Sequence, residues 1–162
     1  MIKKNINLVE ASSLLKKKEI TSEELVESYL NNIELGSELN CYNTLSADEA
    51  IKEAQLSDIR RNENNLKSDF DGIPIGIKDL FCTKGIKTTA SSKILSNFIP
   101  TYESTVTKNC IDSGLISLGK LNCDEFAMGS TNKTSYYGSV INPWRAEGSK
   151  SNLVPGGSSG GS

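Results

Sequence analysis

The chain has 162 residues, of which 36% are hydrophobic and 23% charged, and its formal net charge is −2. That length and composition suit one globular core and exclude global disorder, and the mildly acidic balance excludes a broad basic surface for nucleic acid. The sequence contains no histidine. Within these residues this removes Ser-His-Asp and Cys-His catalysis and most zinc geometries, so any acid–base step must use a carboxylate, a lysine, a tyrosine or a thiolate.

The start, Met1-Ile2-Lys3-Lys4-Asn5, is positive but is followed by no apolar core of signal-peptide length, and no apolar run approaches membrane-spanning length. Cys41, Cys82, Cys110 and Cys123 form no C-x-x-C pair. Without an export signal they read as reduced thiols of a cytoplasmic protein. Residues 8–18 carry Leu8, Val9, Ala11, Leu14 and Leu15 at helical spacing, and Lys16, Lys17 and Lys18, offset by Glu19, Glu23 and Glu24, read as a solvated helix end. Thr21-Ser22-Glu23-Glu24 is a capping box, after which Leu25, Val26, Tyr29, Leu30 and Ile33 mark one helix face up to Gly36. Residues 41–45 suit a short strand. Residues 47–61 predict an amphipathic helix on Ala50, Ile51, Ala54 and Ile59, and the polar, Asn-rich residues 61–71 predict a surface loop tolerant of insertions.

The pattern then changes. In Gly72-Ile73-Pro74-Ile75-Gly76-Ile77-Lys78-Asp79 three isoleucines alternate along one strand face, with Pro74 marking a strand start or an edge. A helix is predicted over 103–113, closed by Gly114, and a buried strand over 115–118. Residues 123–129 suit one or two helical turns, with Asp124 and Glu125 favouring the N-terminal dipole and Phe126 and Met128 in the core. From Ser130 onward Asn, Gly, Ser, Thr and Pro dominate and regular elements thin out; there is no internal repeat. The fold class is α/β, N-terminal helices followed by part of a mixed β-sheet layered with helices.

Two features could carry chemistry. Lys78 shares its strand face with Pro74 and Gly76, so it is either a strand-end lysine in water or, if desolvated, a base able to work near neutral pH. The run Pro155-Gly156-Gly157-Ser158-Ser159-Gly160-Gly161-Ser162 reads as a flexible linker or as a turned loop facing a reacting group. The Lys-Ser/Thr of a phosphate-binding loop does not follow its glycines. Cys123, beside two carboxylates, would have its thiolate disfavoured.

Three stretches in order, Gly72 to Leu80, Gly119-Lys120-Leu121-Asn122-Cys123-Asp124-Glu125-Phe126-Ala127-Met128-Gly129, and Pro155 to Ser162, resemble the amidase-signature family. The run from Lys78 to Ala90, Asp124-Glu125-Phe126-Ala127-Met128-Gly129 and Asn142-Pro143-Trp144 resemble, within it, the glutaminase subunits of tRNA-dependent amidotransferases. The resemblance runs over nearly the whole chain and is weakest before about residue 65. It implies a Ser-Ser-Lys triad, with Lys78 as general base and Ser158 as the bridging serine after a cis peptide bond. Gly156, Gly157, Ser159, Gly160 and Gly161 would support the site, Met128 would line a glutamine pocket as an alternative to its core placement, and no metal is implied. It also implies release of ammonia from glutamine, a heterotrimer with the amidotransferase B and C subunits, ATP and Mg used by the partner subunit, no cofactor in this chain, and tRNA held through that partner.

One departure stands out. In the family the nucleophilic serine and the oxyanion hole lie in a later Gly-Gly-Ser stretch, which this sequence does not contain, and neither Ser159 nor Ser162 sits at the matching place. The expectation is therefore a truncated amidase-signature domain: residues 1–162 as the N-terminal portion of one domain, with 1–64 a mostly helical lead-in and 65–162 the start of the catalytic core, inactive alone. A free-standing amidase acting on another amide and a non-catalytic remnant are the other readings.

Overall fold

The computed structural model describes residues 6–145, 147–148 and 151–162; the positive start at Met1–Asn5 lies outside them. Among the described residues four α-helices and three strands follow one another as α1 (Leu8–Lys16), α2 (Ser22–Leu35), β1 (Tyr42–Leu45), α3 (Ala47–Asn62), β2 (Pro74–Lys78), α4 (Thr105–Asp112) and β3 (Ile116–Leu121), with short 3₁₀ turns between. The strand order is β1-β3-β2. β1 runs antiparallel to β3, Leu45 opposite Gly119 and Tyr42 opposite Leu121. At one end of β2 and β3 the Ile116 amide donates to Ile73 O (2.9 Å), and at the other the Asp79 amide donates to Leu121 O (2.9 Å). The two strands therefore run parallel, joined through α4, and the sheet is mixed. The α/β class expected from the sequence is the one found.

The chain forms two units. The first contains the chain up to Glu34, Ser46–Ile75 and Lys108–Leu118. Its first two helices begin where local side-chain bonds cap them. Thr21 Oγ1 accepts from the Glu24 amide (3.1 Å) and Glu24 Oε2 from the Thr21 amide (2.9 Å), the reciprocal arrangement of a capping box. Asn7 and Glu10 repeat it at the start of α1. Ala11, Leu15, Leu25 and Ile73 form a buried apolar cluster, with Ile20, Tyr29 and Leu115 packed against it.

α3 corrects the expected face. Ala50, Ala54, Ser57 and Arg61 are buried while Ile59 is 51% exposed. The cause is Asp71, fully buried, whose carboxylate accepts from Arg60 Nε (2.9 Å), Arg60 Nη2 (2.7 Å) and the Lys67 amide (2.9 Å), while its carbonyl accepts from Arg61 Nη2 (2.5 Å). Pairing this carboxylate turns the polar edge of the helix inward. Residues 62–70 are exposed or half-buried, as a surface stretch should be, and run between buried Arg61 and the anchored acid Asp71. Burial on its own would raise the Asp71 carboxyl, but the Arg60 bonds and the Lys67 amide outweigh it and hold the group below the ordinary 3.8.

The second unit contains Leu35–Leu45, Gly76–Thr107 and the chain from Gly119 onward. Regular structure is sparse in it beyond residue 130, as the composition indicates, and much of its interior is polar. Asp79, Thr83, Thr88, Thr89, Ser91, Ser92, Lys120, Asn122, Asp124 and Asn132 are all buried. The expected helix over 123–129 is a three-residue 3₁₀ turn, Glu125–Ala127. Phe126 and Ala127 adopt left-handed φ values of 51° and 59°, which stops any continuation. Phe126 and Met128 are not core residues, at 46% and 80% exposed.

Candidate active site

β2 alternates so that Ile77 is buried and Lys78 points to the other face. The room beside Gly76 on that face is filled by Leu121, whose Cδ1 would lie 2.8 Å from an added Cβ. Lys78 Nζ donates a 2.6 Å hydrogen bond to Ser158 Oγ.

The Gly/Ser run is held at several points. Ser158 O accepts from the Asp124 amide (2.9 Å), the Gly161 amide donates to Asn122 O (2.9 Å) and the Ser162 amide to Ser159 O (3.2 Å). Gly156 has φ +109° and the Gly157–Ser158 peptide is cis. Gly160 and Gly161 are buried, whereas Ser159 and Ser162 are exposed. A flexible linker would make none of these bonds. Of the residues singled out in the sequence, Lys78 and Ser158 are thus brought together, Gly156, Gly157, Gly160 and Gly161 shape the loop, and Met128 stands in solvent.

The same unit holds two buried charged groups, Asp79 and Lys120, that sequence reading passed over. Asp79 accepts from the Thr89 amide (3.0 Å), Thr89 Oγ1 (2.5 Å) and Asn43 Nδ2 (2.9 Å), while its own carbonyl accepts from the Ala90 amide (2.8 Å). Lys120 is fully buried, donating to Phe81 O, Thr83 Oγ1 (2.8 Å) and Thr88 Oγ1 (3.0 Å), three acceptors for the three protons of an ammonium. Burial pushes its pKa down to about 8, opposed by the negative field of Asp79. A signal for Lys120 was present: it continues the parity of Ile116 and Leu118, both 3% exposed, along β3. Burial is the largest cause holding the Cys123 thiol up, with Asp79 and Asp124 adding to it and a Ser91 hydrogen bond opposing. Asp124 thus acts in the expected direction but second to desolvation, and the other carboxylate that acts is Asp79, not Glu125. Among the described residues no group of three His, Cys, Asp or Glu side chains could hold a metal ion, and no helix is long and apolar enough to cross a membrane.

A lysine amine in hydrogen-bond contact with a serine hydroxyl can exchange a proton with it, and so can serve acyl-transfer chemistry without histidine. Here an α/β layer presents such a lysine to a serine of a glycine-rich loop. The family model described as Amidase matches residues 24–162, and the chain belongs to the amidase-signature family. It is 55% identical over 157 residues to the A subunit of the glutamyl-tRNA(Gln) amidotransferase of Parvibaculum lavamentivorans, covering 97% of this chain and 32% of that protein. Among solved structures it is similar to the A subunit of the glutamyl-tRNA(Gln) amidotransferase of Thermotoga maritima (31% identity, TM-score 0.74, 99% of this chain and 32% of that one). It is also similar to the native peptide amidase of Stenotrophomonas maltophilia (29% identity, TM-score 0.83, 97% and 33%). The chain therefore spans about a third of the length of the relatives it matches.

Proposed function

We propose that this chain is part of the glutamine-hydrolysing subunit of a tRNA-dependent amidotransferase, and that Lys78 and Ser158 form its proton relay. The observation that carries the reading is the 2.6 Å bond between Lys78 Nζ and Ser158 Oγ, supported by the 55% identity to a subunit of that name. Lys78 acts as general base and takes the Ser158 proton, while Ser158 takes one from a nucleophilic serine. That serine attacks the side-chain carboxamide of glutamine; the C–N bond breaks, the nitrogen leaves as ammonia carrying the relayed proton, and water then hydrolyses the acyl-enzyme to glutamate. On this reading the nucleophile and oxyanion hole come from residues beyond these 162. Residues 1–162 are the N-terminal portion of one amidase domain, and 65–162 begin its catalytic core. Gly156, Gly157, Ser159, Gly160 and Gly161 shape the loop that presents Ser158. Ammonia passes to a partner subunit that uses ATP and Mg to amidate glutamate on tRNA(Gln), in a heterotrimer with the B and C subunits.

A second reading, a free-standing amidase, is favoured by the higher TM-score to the peptide amidase. One experiment in the intact protein carrying these residues, with its partner subunits, tests both. Lys78→Ala and Ser158→Ala should each lower glutamine-dependent amidation by roughly 10³-fold or more, leaving ammonia-dependent amidation intact. Full glutamine-dependent turnover by both variants would refute the relay. Hydrolysis of peptide amides but not of glutamine would favour the second reading.

A further inference from the structure

Asp124 is fully buried, yet it pairs with no lysine or arginine among the ion pairs of the described residues. Its carboxylate is instead satisfied by neutral donors: Oδ2 accepts from the Asn132 amide (3.0 Å) and Oδ1 from Thr134 Oγ1 (2.9 Å). Its main chain reaches the Gly/Ser loop, the amide donating to Ser158 O at 2.9 Å. The carboxylate itself lies against the loop, since a Cβ at Gly157 would fall 2.2 Å from Oδ2, and one at Gly129 would fall 2.4 Å from Oδ1. Glycine at 157 is required by this approach.

We propose that Asp124 is the positioning residue for Ser158: its amide fixes the Ser158 carbonyl, and its carboxylate, braced by Asn132 and Thr134, seats Gly157 so that the Ser158 hydroxyl meets Lys78. The inference rests on the reading of Lys78 and Ser158 as the relay. Asp124 does not touch the reacting atoms. A buried carboxylate held by an amide and a hydroxyl is rigid because every alternative rotamer would strand an unpaired charge. The carboxylate of Glu125, next in sequence, accepts instead from Ser92 Oγ (2.5 Å), while the Glu125 amide donates to Thr134 Oγ1 (3.0 Å).

The test reads the pair directly in the full chain, as the NMR cross-peak between the Lys78 ε-protons and the Ser158 β-protons, beside a thermal melt. The parent should show the cross-peak. Asp124→Asn and Thr134→Val should lose it, and Glu125→Gln should keep it. A lowered melting temperature in Asp124→Asn with the cross-peak retained would reduce Asp124 to a stabiliser of the fold and overturn the proposal. Should Asp124→Asn fail to fold, Thr134→Val decides, because it removes one brace of the carboxylate, together with the acceptor of the Glu125 amide, and leaves Asp124, Gly157 and Ser158 unchanged. The outcome is separable from the relay reading: turnover that survives Lys78→Ala refutes the relay, whereas an unchanged cross-peak refutes only the positioning.

Discussion

Lys120→Met isolates the effect of burying an ammonium among neutral acceptors. The lysine is fully buried and its pKa falls from the ordinary 10.5 to about 8. Between those values the unfolded chain holds a proton that the folded chain has released, so the Lys120 contribution to stability rises with pH across the window. Below about 8 both states are protonated and the folded state carries the full cost of burial; above about 10.5 both are neutral and the cost is gone. The gap corresponds to roughly 3 kcal/mol, reached at a slope of at most about 1.4 kcal/mol per pH unit. Methionine keeps the length but not the charge, and strips Phe81 O, Thr83 and Thr88 of their donor. That loss is a pH-independent offset. Urea denaturation of both proteins, at steps from about pH 7.5 to about pH 10.5, should show the parent gaining roughly 3 kcal/mol on the variant. Titrating thiols and tyrosines occur in both proteins, so their common effects largely cancel in the difference. A parent–variant difference that is flat between pH 8 and 10 would refute the reasoning, and would mean that the three acceptors hold the proton as firmly as water does.

Arg60→Met should destabilise the chain by about 3 kcal/mol in denaturant titration at neutral pH, because it leaves the buried Asp71 carboxylate short of its two-point partner. The difference between parent and variant should shrink as the pH falls through the depressed Asp71 value, where the carboxylate is protonated in both. Gly119→Ala should cost at least about 3 kcal/mol: φ is +143° and the new Cβ would fall 2.2 Å from Thr44 O on the neighbouring strand. Thiol alkylation followed by mass spectrometry should modify the half-exposed Cys41, Cys82 and Cys110 in the native chain and reach Cys123 only after denaturation.

What could be read in the sequence was governed by the range of the forces involved. The Thr21–Glu24 capping box and the alternation of β2 are closed within a few residues, so their geometry follows from local pattern. The Asn7–Glu10 box has the same spacing and was equally legible. The buried face of α3 was not, because Ser57 and Arg61 turn inward only where Asp71 arrives to meet the helix from outside it. Residues 123–129 misled for the same reason. The dipole argument for Asp124 and Glu125 is local, but their carboxylates are claimed by Asn132, Thr134 and Ser92, and the chain turns left-handed at Phe126. At the site, parity alone gave Lys78 its face. Its partner stands 80 residues away, and no spacing rule reaches that far; only the family resemblance joined the two stretches.

Lys78 and Asp79 are neighbours on one chain, yet the lysine serves Ser158 and the aspartate serves Asn43 and Thr89. Lys78 is the last residue of β2 and Asp79 the first of the turn that follows, so the strand's end sorts them. Deleting one residue from β2 while its ladder to β3 is kept would bring Asp79 into the place of Lys78, Lys78 into that of buried Ile77, and Leu80 into that of Asp79. A carboxylate would then stand before the Ser158 hydroxyl, and the Thr89 amide would lose its acceptor. Point substitutions here remove one bond at a time, whereas a frame slip of a single residue removes both networks at once. The chain between Pro74 and Lys78 is therefore a length standard, intolerant of any change in the number of its residues.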